Sequence, residues 1–299
     1  MTLPVTEQEN PKTAGIDKVS TLDAVRLINE QDSCVASAVE EVLPDIATAI
    51  DAVVERLQSG GRLFYVGTGT SGRLGVLDAS EVPPTFGVSY DLVQGVIAGG
   101  YDALYKATES SEDNRRAGAD DLQIRGLTAK DVVIGIAASG RTRYTLGAVE
   151  YARHLGCFTA CVACVPDSEI TRAVDVAIVP VVGPEAITGS TRMKAGTAQK
   201  MVLNMISTVA MIRLGYVKGN RMTNVRAGNE KLKERVVRIL MAETSLDEAA
   251  AASLLRDAGH DIRVALVMNA CASDRVSAER ALIESNYVVE KAIRKLAND

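Results

Sequence analysis

The 299-residue chain has no tryptophan, three phenylalanines and two histidines, and its formal net charge is −5 (Lys plus Arg 33, Asp plus Glu 38). With no basic field and few rings on which bases can stack, it lacks the equipment of a nucleic-acid binder. Five cysteines, an odd and sparse number, exclude a disulfide framework and read as reduced, mostly buried thiols. No run of 18 apolar residues is free of charge, so no membrane span or membrane partner is expected. The opening MTLPVTEQENPKTAG lacks a basic segment followed by an apolar one, so no signal peptide is read there. What is present is an average globular composition, 47% apolar and 24% charged. The expectation is a soluble cytoplasmic protein, long enough for about two domains.

Three regions follow from the patterning. Residues 1–58 hold a polar stretch to Gly15, read as a loose arm, then helices capped at Ser20 or Thr21 and opened by Pro44. Residues 59–220 carry five short apolar segments: Arg62–Val66, Leu92–Ala98, Asp131–Ala137, Phe158–Cys164 and Asp175–Val182. They alternate with stretches of helical period at Arg73–Val82, Ala103–Gly118 and Thr145–Leu155. Continuous apolar strands separated by crossover helices predict an α/β fold, a doubly wound parallel five-stranded sheet. A long helix is expected from Ser190 to Leu214, its methionines filling the core. Residues 221–299 read as a small helical bundle, with caps at Ser245 and at Ser273 or Asp274.

The first strand runs into Gly67-Thr68-Gly69-Thr70-Ser71-Gly72-Arg73. Glycines let backbone N–H groups converge, and the following helix offers its positive end to an anion. The spacing also satisfies G-x-G-x-x-G, yet the second strand ends Ile97-Ala98-Gly99-Gly100 without the acid of a dinucleotide site. The Walker lysine is missing too, since Arg73 follows the last glycine. Three hydroxyls, Thr68, Thr70 and Ser71, suit one phosphate monoester and sugar hydroxyls. A second such loop, Ser139-Gly140-Arg141-Thr142, closes the third strand, which neighbours the first in a flavodoxin-like order. A third polar cluster runs from Glu185 to Lys194.

GTGTSGRLG, ASGRT and TGSTRMKAGTAQK resemble the sugar isomerase (SIS) family of phosphosugar-binding domains. More narrowly, VGTGTSGRLGVLDASEVPPTFG and IAASGRT resemble the N-acetylmuramic acid 6-phosphate etherases, from about Ile16 to Leu232 and more weakly beyond. That resemblance implies release of D-lactate from N-acetylmuramic acid 6-phosphate by a homodimer, with no metal and no cofactor.

Elimination of a lactyl ether needs a base for the C2 proton and an acid for the departing oxygen, work suited to two carboxyl groups. Glu81 is expected to end the helix after the first loop, just before Val82-Pro83-Pro84, and the resemblance places the acid there. The helix after the second strand carries Glu109, Glu112 and Asp113, among which periodicity does not choose. The resemblance matches the second glutamate to Glu112, as the base. It also makes Ser71 and Ser139, with the backbone of their loops, ligands of the phosphate or sugar. Thr70, Arg141 and Ser190 join them. Lys194 has two readings, reaching the anion or pairing with Glu185, while Arg73 and Arg192 are equally well surface ion-pair partners. His154 falls at the wrong end of the sheet and His260 in the C-terminal region, so neither histidine is placed to open the ring. Alternation turns Cys161 and Cys164 to opposite faces of their strand. The rival readings are a phosphosugar sensor resembling glucokinase regulatory protein and an aldose–ketose isomerase.

Overall fold

Ser20 has extended backbone and its Oγ accepts the N–H of Asp23 at 3.2 Å, the capping bond that starts α1 (Thr21–Asp32). This computed structural model describes residues 3–106, 112–222 and 230–298. After the short α2 (Val35–Glu40), α3 (Leu43–Gln58) opens with Pro44, whose missing N–H costs nothing in a first turn. Its Ile46, Ala49, Ile50, Val53 and Leu57 recur at helical spacing and are buried.

The period then changes to that of strands and crossovers. The order is β1 (Leu63–Gly67), α4 (Gly69–Phe86), β2 (Val93–Ile97), α5 (Arg115–Ile124), β3 (Val132–Ile136), α6 (Arg143–Leu155), β4 (Phe158–Val162), α7 (Glu169–Ala173), β5 (Val176–Ile178) and α8 (Lys194–Arg213). The five strands form one parallel sheet in the order β2-β1-β3-β4-β5, as expected of a doubly wound α/β fold. Gly67 lies level with Ile97 on one side and Ile136 on the other, so the loops leaving β1 and β3 start side by side. On one face Phe64, Val66, Val133 and Cys161 pack against Leu122 of α5 and Tyr144, Leu146 and Val149 of α6. Burying side chains of that size stabilises by about 1.5–3 kcal/mol each.

The chain divides into two compact units. One comprises the residues up to Ser80 and Tyr90–Ser207; the other comprises Glu81–Ser89 and the residues from Thr208. The helices α4 and α8 each contribute to both. The second unit adds a hairpin of β6 (Val217–Lys218) and β7 (Arg221–Met222), then α9 (Glu230–Thr244), α10 (Glu248–Asp257), α11 (Ile262–Cys271), α12 (Arg275–Glu284) and α13 (Val289–Asn298). Leu240, Leu255, Val264, Leu266 and Leu282 form its buried centre. Arg263 pairs with Asp261 at 2.8 Å and lies 4.7 Å over the Tyr287 ring, so this buried cation is compensated twice.

Five local expectations are corrected. The arm is not loose: three short turns, Val5–Glu7, Pro11–Thr13 and Ile16–Lys18, bury Thr6, Asn10 and Thr13. Helix α4 runs through Pro83 and Pro84 to Phe86, so Glu81 sits inside its last turns rather than at its end. Proline removes only its own N–H bond, and Gly87 still donates to the Pro83 carbonyl at 2.8 Å. Helix α5 begins at Arg115, where Asn114 caps Ala117, leaving Glu112 and Asp113 in the turn before it. Helix α8 begins four residues after Ser190. In the bundle Asp247, not Ser245, caps α10, while Asp274 caps α12.

Candidate functional site

The first loop is tighter than a loop. β1 ends at Gly67 and α4 starts at Gly69, so Thr70 and Ser71 stand in the first helical turn. Two glycines make this approach possible. A β-carbon on Gly67 would lie 2.9 Å from the Gly72 nitrogen, and one on Gly72 would lie 2.7 Å from the Gly67 oxygen. Gly69 takes φ +49°, the left-handed region that glycine enters without strain. The first intrahelical bond is Gly72 N–H to Thr68 C=O, at 2.9 Å. The N–H groups of Gly69, Thr70 and Ser71 therefore have no acceptor within the helix, which is the donor arrangement an anion needs. Thr68 and Ser71 are buried, and Gly69 and Thr70 half-buried. Arg73 does not reach back; its Nε donates to the Leu104 carbonyl at 2.9 Å.

Glu112 comes to this cradle. Its Oε1 lies 3.3 Å from the point where a Gly69 β-carbon would be. Its backbone carbonyl accepts the Tyr144 N–H at 3.0 Å, which ties it to the start of α6. Asp113 next to it is exposed, and Glu109 lies outside the described residues.

The second loop leaves β3, the neighbour of β1. The Ala138 carbonyl accepts from Cys164 and the Gly140 carbonyl from Ile170, so the loop is tied to the end of β4 and to α7. Gly140 has φ +66°, and a β-carbon there would strike Ser168 Oγ at 2.0 Å. Ser139 is half-buried, Arg141 is exposed, and Thr142 precedes α6 without a side-chain capping bond.

The third cluster explains the late start of α8. Glu185, 1% exposed, accepts the N–H groups of Lys194 and Ala195 at 2.9 Å each. The helix is thus capped by a carboxylate nine residues upstream, not by Ser190, which closes a turn on Ile187. Burial pushes the Glu185 carboxyl up from its ordinary value, against the opposing pull of the two N–H groups and of Lys194. Lys194 is itself 2% exposed. Its charge acts on the Glu185 carboxyl, favouring the ionised form. The first turns of α8 reach the cradle: Ser71 Oγ donates to Gln199 Oε1 at 2.9 Å. A β-carbon on Gly196 would touch Thr70 Cγ2 at 3.5 Å.

Residues 45–153 match the family model described as the glucokinase regulatory protein N-terminal SIS domain, and residues 115–209 match the SIS domain. The chain is 60% identical over 263 residues to N-acetylmuramic acid 6-phosphate etherase of Symbiobacterium thermophilum, covering 88% of this chain and 87% of that protein. It is 52% identical to the enzyme of the same name from Enterobacter sp. (strain 638), covering 93% and 94%. Against that of Clostridium botulinum (strain Okra / Type B1) identity is 49%, covering 98% and 97%. The chain belongs to the N-acetylmuramic acid 6-phosphate etherase family.

In this etherase-family chain the structure brings Gly69, Thr70, Ser71 and Glu112 together and sets the first turns of α8 against them. Glu81 is exposed, on the part of α4 that belongs to the second unit. Sequence reasoning missed Gln199, although it lies in the TGSTRMKAGTAQK run. It also missed Asp78, 6% exposed, which ties α4 to α8 by accepting from Asn204 Nδ2 at 2.7 Å and Ser207 Oγ at 3.1 Å. Burial pushes the Asp78 carboxyl up, opposed by the hydrogen bonds from Asn204 and Ser207 and by contributions from Tyr65 and Lys200. The buried Tyr65 hydroxyl and Asp78 Oδ2 act on each other without reaching hydrogen-bond geometry. His154 lies late in α6 and is exposed, as is His260. Among the described residues no cluster of His, Cys, Asp and Glu is arranged to hold a metal, and no helix is long and apolar enough to cross a membrane.

Proposed function

We propose that this chain cleaves the D-lactyl ether of N-acetylmuramic acid 6-phosphate, giving N-acetylglucosamine 6-phosphate and D-lactate, a step of cytoplasmic cell-wall sugar recycling. The observation that carries this reading within an etherase-family chain is the Glu112 carboxylate beside the first turn of α4. Phosphate bound on the N–H groups of Gly69, Thr70 and Ser71 is held by donors that ask no proton of it. Thr68 and the second loop, Ser139, Gly140, Arg141 and Thr142, contribute to holding the phosphosugar, as does Ser190. Glu185 and Lys194 shape the start of α8.

In the open-chain sugar the C1 aldehyde makes the C2 proton acidic. Glu112 removes that proton, and the electron pair forms the C2=C3 double bond as the C3–O bond breaks. Glu81 supplies the proton that the departing lactate oxygen takes. Glu112 passes the proton it took to the Glu81 carboxylate through solvent, which restores the acid. It then takes a proton from water as the hydroxyl bonds to C3, and returns that proton to C2, leaving both carboxyls as they began. The net change is hydrolysis of the ether, with no redox step. The working species is a homodimer, as the resemblance implies, and sedimentation of the purified protein tests it.

Purified protein incubated with N-acetylmuramic acid 6-phosphate should release D-lactate, one equivalent per N-acetylglucosamine 6-phosphate. Folded protein that binds the sugar phosphate but releases none is a sensor, and ketose formation instead marks an isomerase. Either result rejects the reading. Glu112→Gln should lose turnover by at least about 100-fold, within the range of a lost general base, while still binding product.

A further inference from the structure

The arm at the start of the chain is built into the third polar cluster. Asn10, 6% exposed, donates from Nδ2 to the Pro184 carbonyl at 3.1 Å and to Gln31 Oε1 of α1 at 2.7 Å. Its Oδ1 accepts the Lys12 N–H at 3.0 Å, so every polar atom of the amide faces a partner that suits it. Thr13, 5% exposed, donates from Oγ1 to the Ala186 carbonyl at 2.8 Å. These two carbonyls flank Glu185. The arm therefore grips the chain on both sides of the one carboxylate that caps α8. Helix α8 in turn holds the cradle, through Gln199 on Ser71 and Gly196 against Thr70. The relay runs from arm to Glu185, from Glu185 to the first turn of α8, and from there to the first turn of α4.

The two bonds from the arm to the chain beside Glu185 are not local. The arm residues reach partners more than 170 positions away. Glu185 has little freedom of its own, because the chain around it turns again at Ile187–Ser190 and Gly189 takes φ +74°. Fixing the 184 and 186 carbonyls therefore fixes where the carboxylate points.

We propose that Asn10 and Thr13 are positioning residues for the sugar-phosphate cradle, acting through Glu185 and α8 rather than by touching the ligand. This rests on the cradle binding a sugar phosphate, as proposed above, but not on the etherase chemistry. The probe is therefore N-acetylglucosamine 6-phosphate, whose affinity is read by calorimetry beside KM and kcat for lactate release. Thr13→Val removes the hydroxyl at constant shape, and Asn10→Asp replaces the donor by an oxygen facing two oxygens. Each should raise Kd and KM about tenfold, as expected of a lost buried hydrogen bond, and leave kcat within about twofold. Thr13→Ser should restore the wild-type Kd. A role confined to stability would lower the unfolding midpoint of Thr13→Val and leave its Kd unchanged; that result overturns the inference. A kcat loss with unchanged Kd overturns it as well. If Asn10→Asp does not fold, Thr13→Val and Thr13→Ser decide alone. Wild-type protein that binds the product but releases no lactate defeats the etherase reading and leaves the Kd comparison intact.

Discussion

The carboxylate of Glu112 stands 3.3 Å from the place that a β-carbon on Gly69 would occupy. Nothing in the 42 positions between them forces this; the parallel pairing of β1 with β2 and β3 and the bond from Tyr144 to the Glu112 carbonyl create it. Gly69→Ala should then fail twice. The left-handed φ costs an L-residue about 1–2 kcal/mol. The added methyl also presses on the base, and a displacement near 1 Å costs on the order of 100-fold in kcat. Steady-state kinetics of the folded variant checks this, and a kcat within threefold of wild type contradicts it.

Glu185 satisfies two helix N–H groups and faces a buried lysine. Glu185→Ala leaves those donors bare, at about 1–3 kcal/mol for a buried group without its partner. The uncompensated Lys194 adds to this. Urea unfolding should show a loss of at least about 2 kcal/mol, and Glu185→Gln, which keeps one acceptor oxygen, a smaller one. Equal losses in the two variants would mean that charge, not hydrogen bonding, dominates.

Asp78 sets a pH dependence. Burial raises its folded-state pKa above the ordinary 3.8, so the folded protein holds this proton more tightly than the unfolded chain does. Its contribution is fully present below that value and is lost as pH rises through the folded pKa. Asp78→Asn has no proton to lose. The difference in unfolding free energy, variant minus wild type, should grow more favourable to the variant as pH is raised from 3.8 toward neutrality. A difference flat with pH would show that Asp78 does not titrate in that range.

The thiols should separate by exposure. Cys161 and Cys164 are buried and pushed up to about 12, and burial raises Cys157 to about 11. Thiolate is the reactive form, so these three should resist an alkylating reagent until the protein unfolds. Cys34 is exposed and should react first. Peptide mapping after a short pulse tests the order, and rapid labelling of Cys161 would contradict the packing of β4.

The sheet was legible because its signals are local: apolar runs, glycines at strand ends, and a helical period between them. Ser20, Pro44 and Asp274 start helices for the same reason. The misread positions all depend on partners far along the chain. Residues 1–15 read as a loose arm until Asn10 and Thr13 find carbonyls beyond position 180. Ser190 looks like the cap of α8, but Glu185 takes those N–H groups. Pro83 looks like a stop, yet a proline near a helix end forfeits few bonds. At the site, the hydroxyl-rich loops were evident from composition. That the Ser71 hydroxyl donates to Gln199 was not, since no spacing rule joins residues 128 positions apart.

Arg73 spends its guanidinium on backbone carbonyls, and Lys194 lies buried beside Glu185. Arg73 and Lys194 are thus committed to partners of their own, in a chain whose overall charge already disfavours a dianion. Arg141, exposed in the second loop, is left as a cation that can attract a phosphorylated sugar from a distance. Ionic strength should therefore act on the association rate through Arg141, while selectivity arises after contact, from how snugly the backbone donors enclose the phosphoryl oxygens.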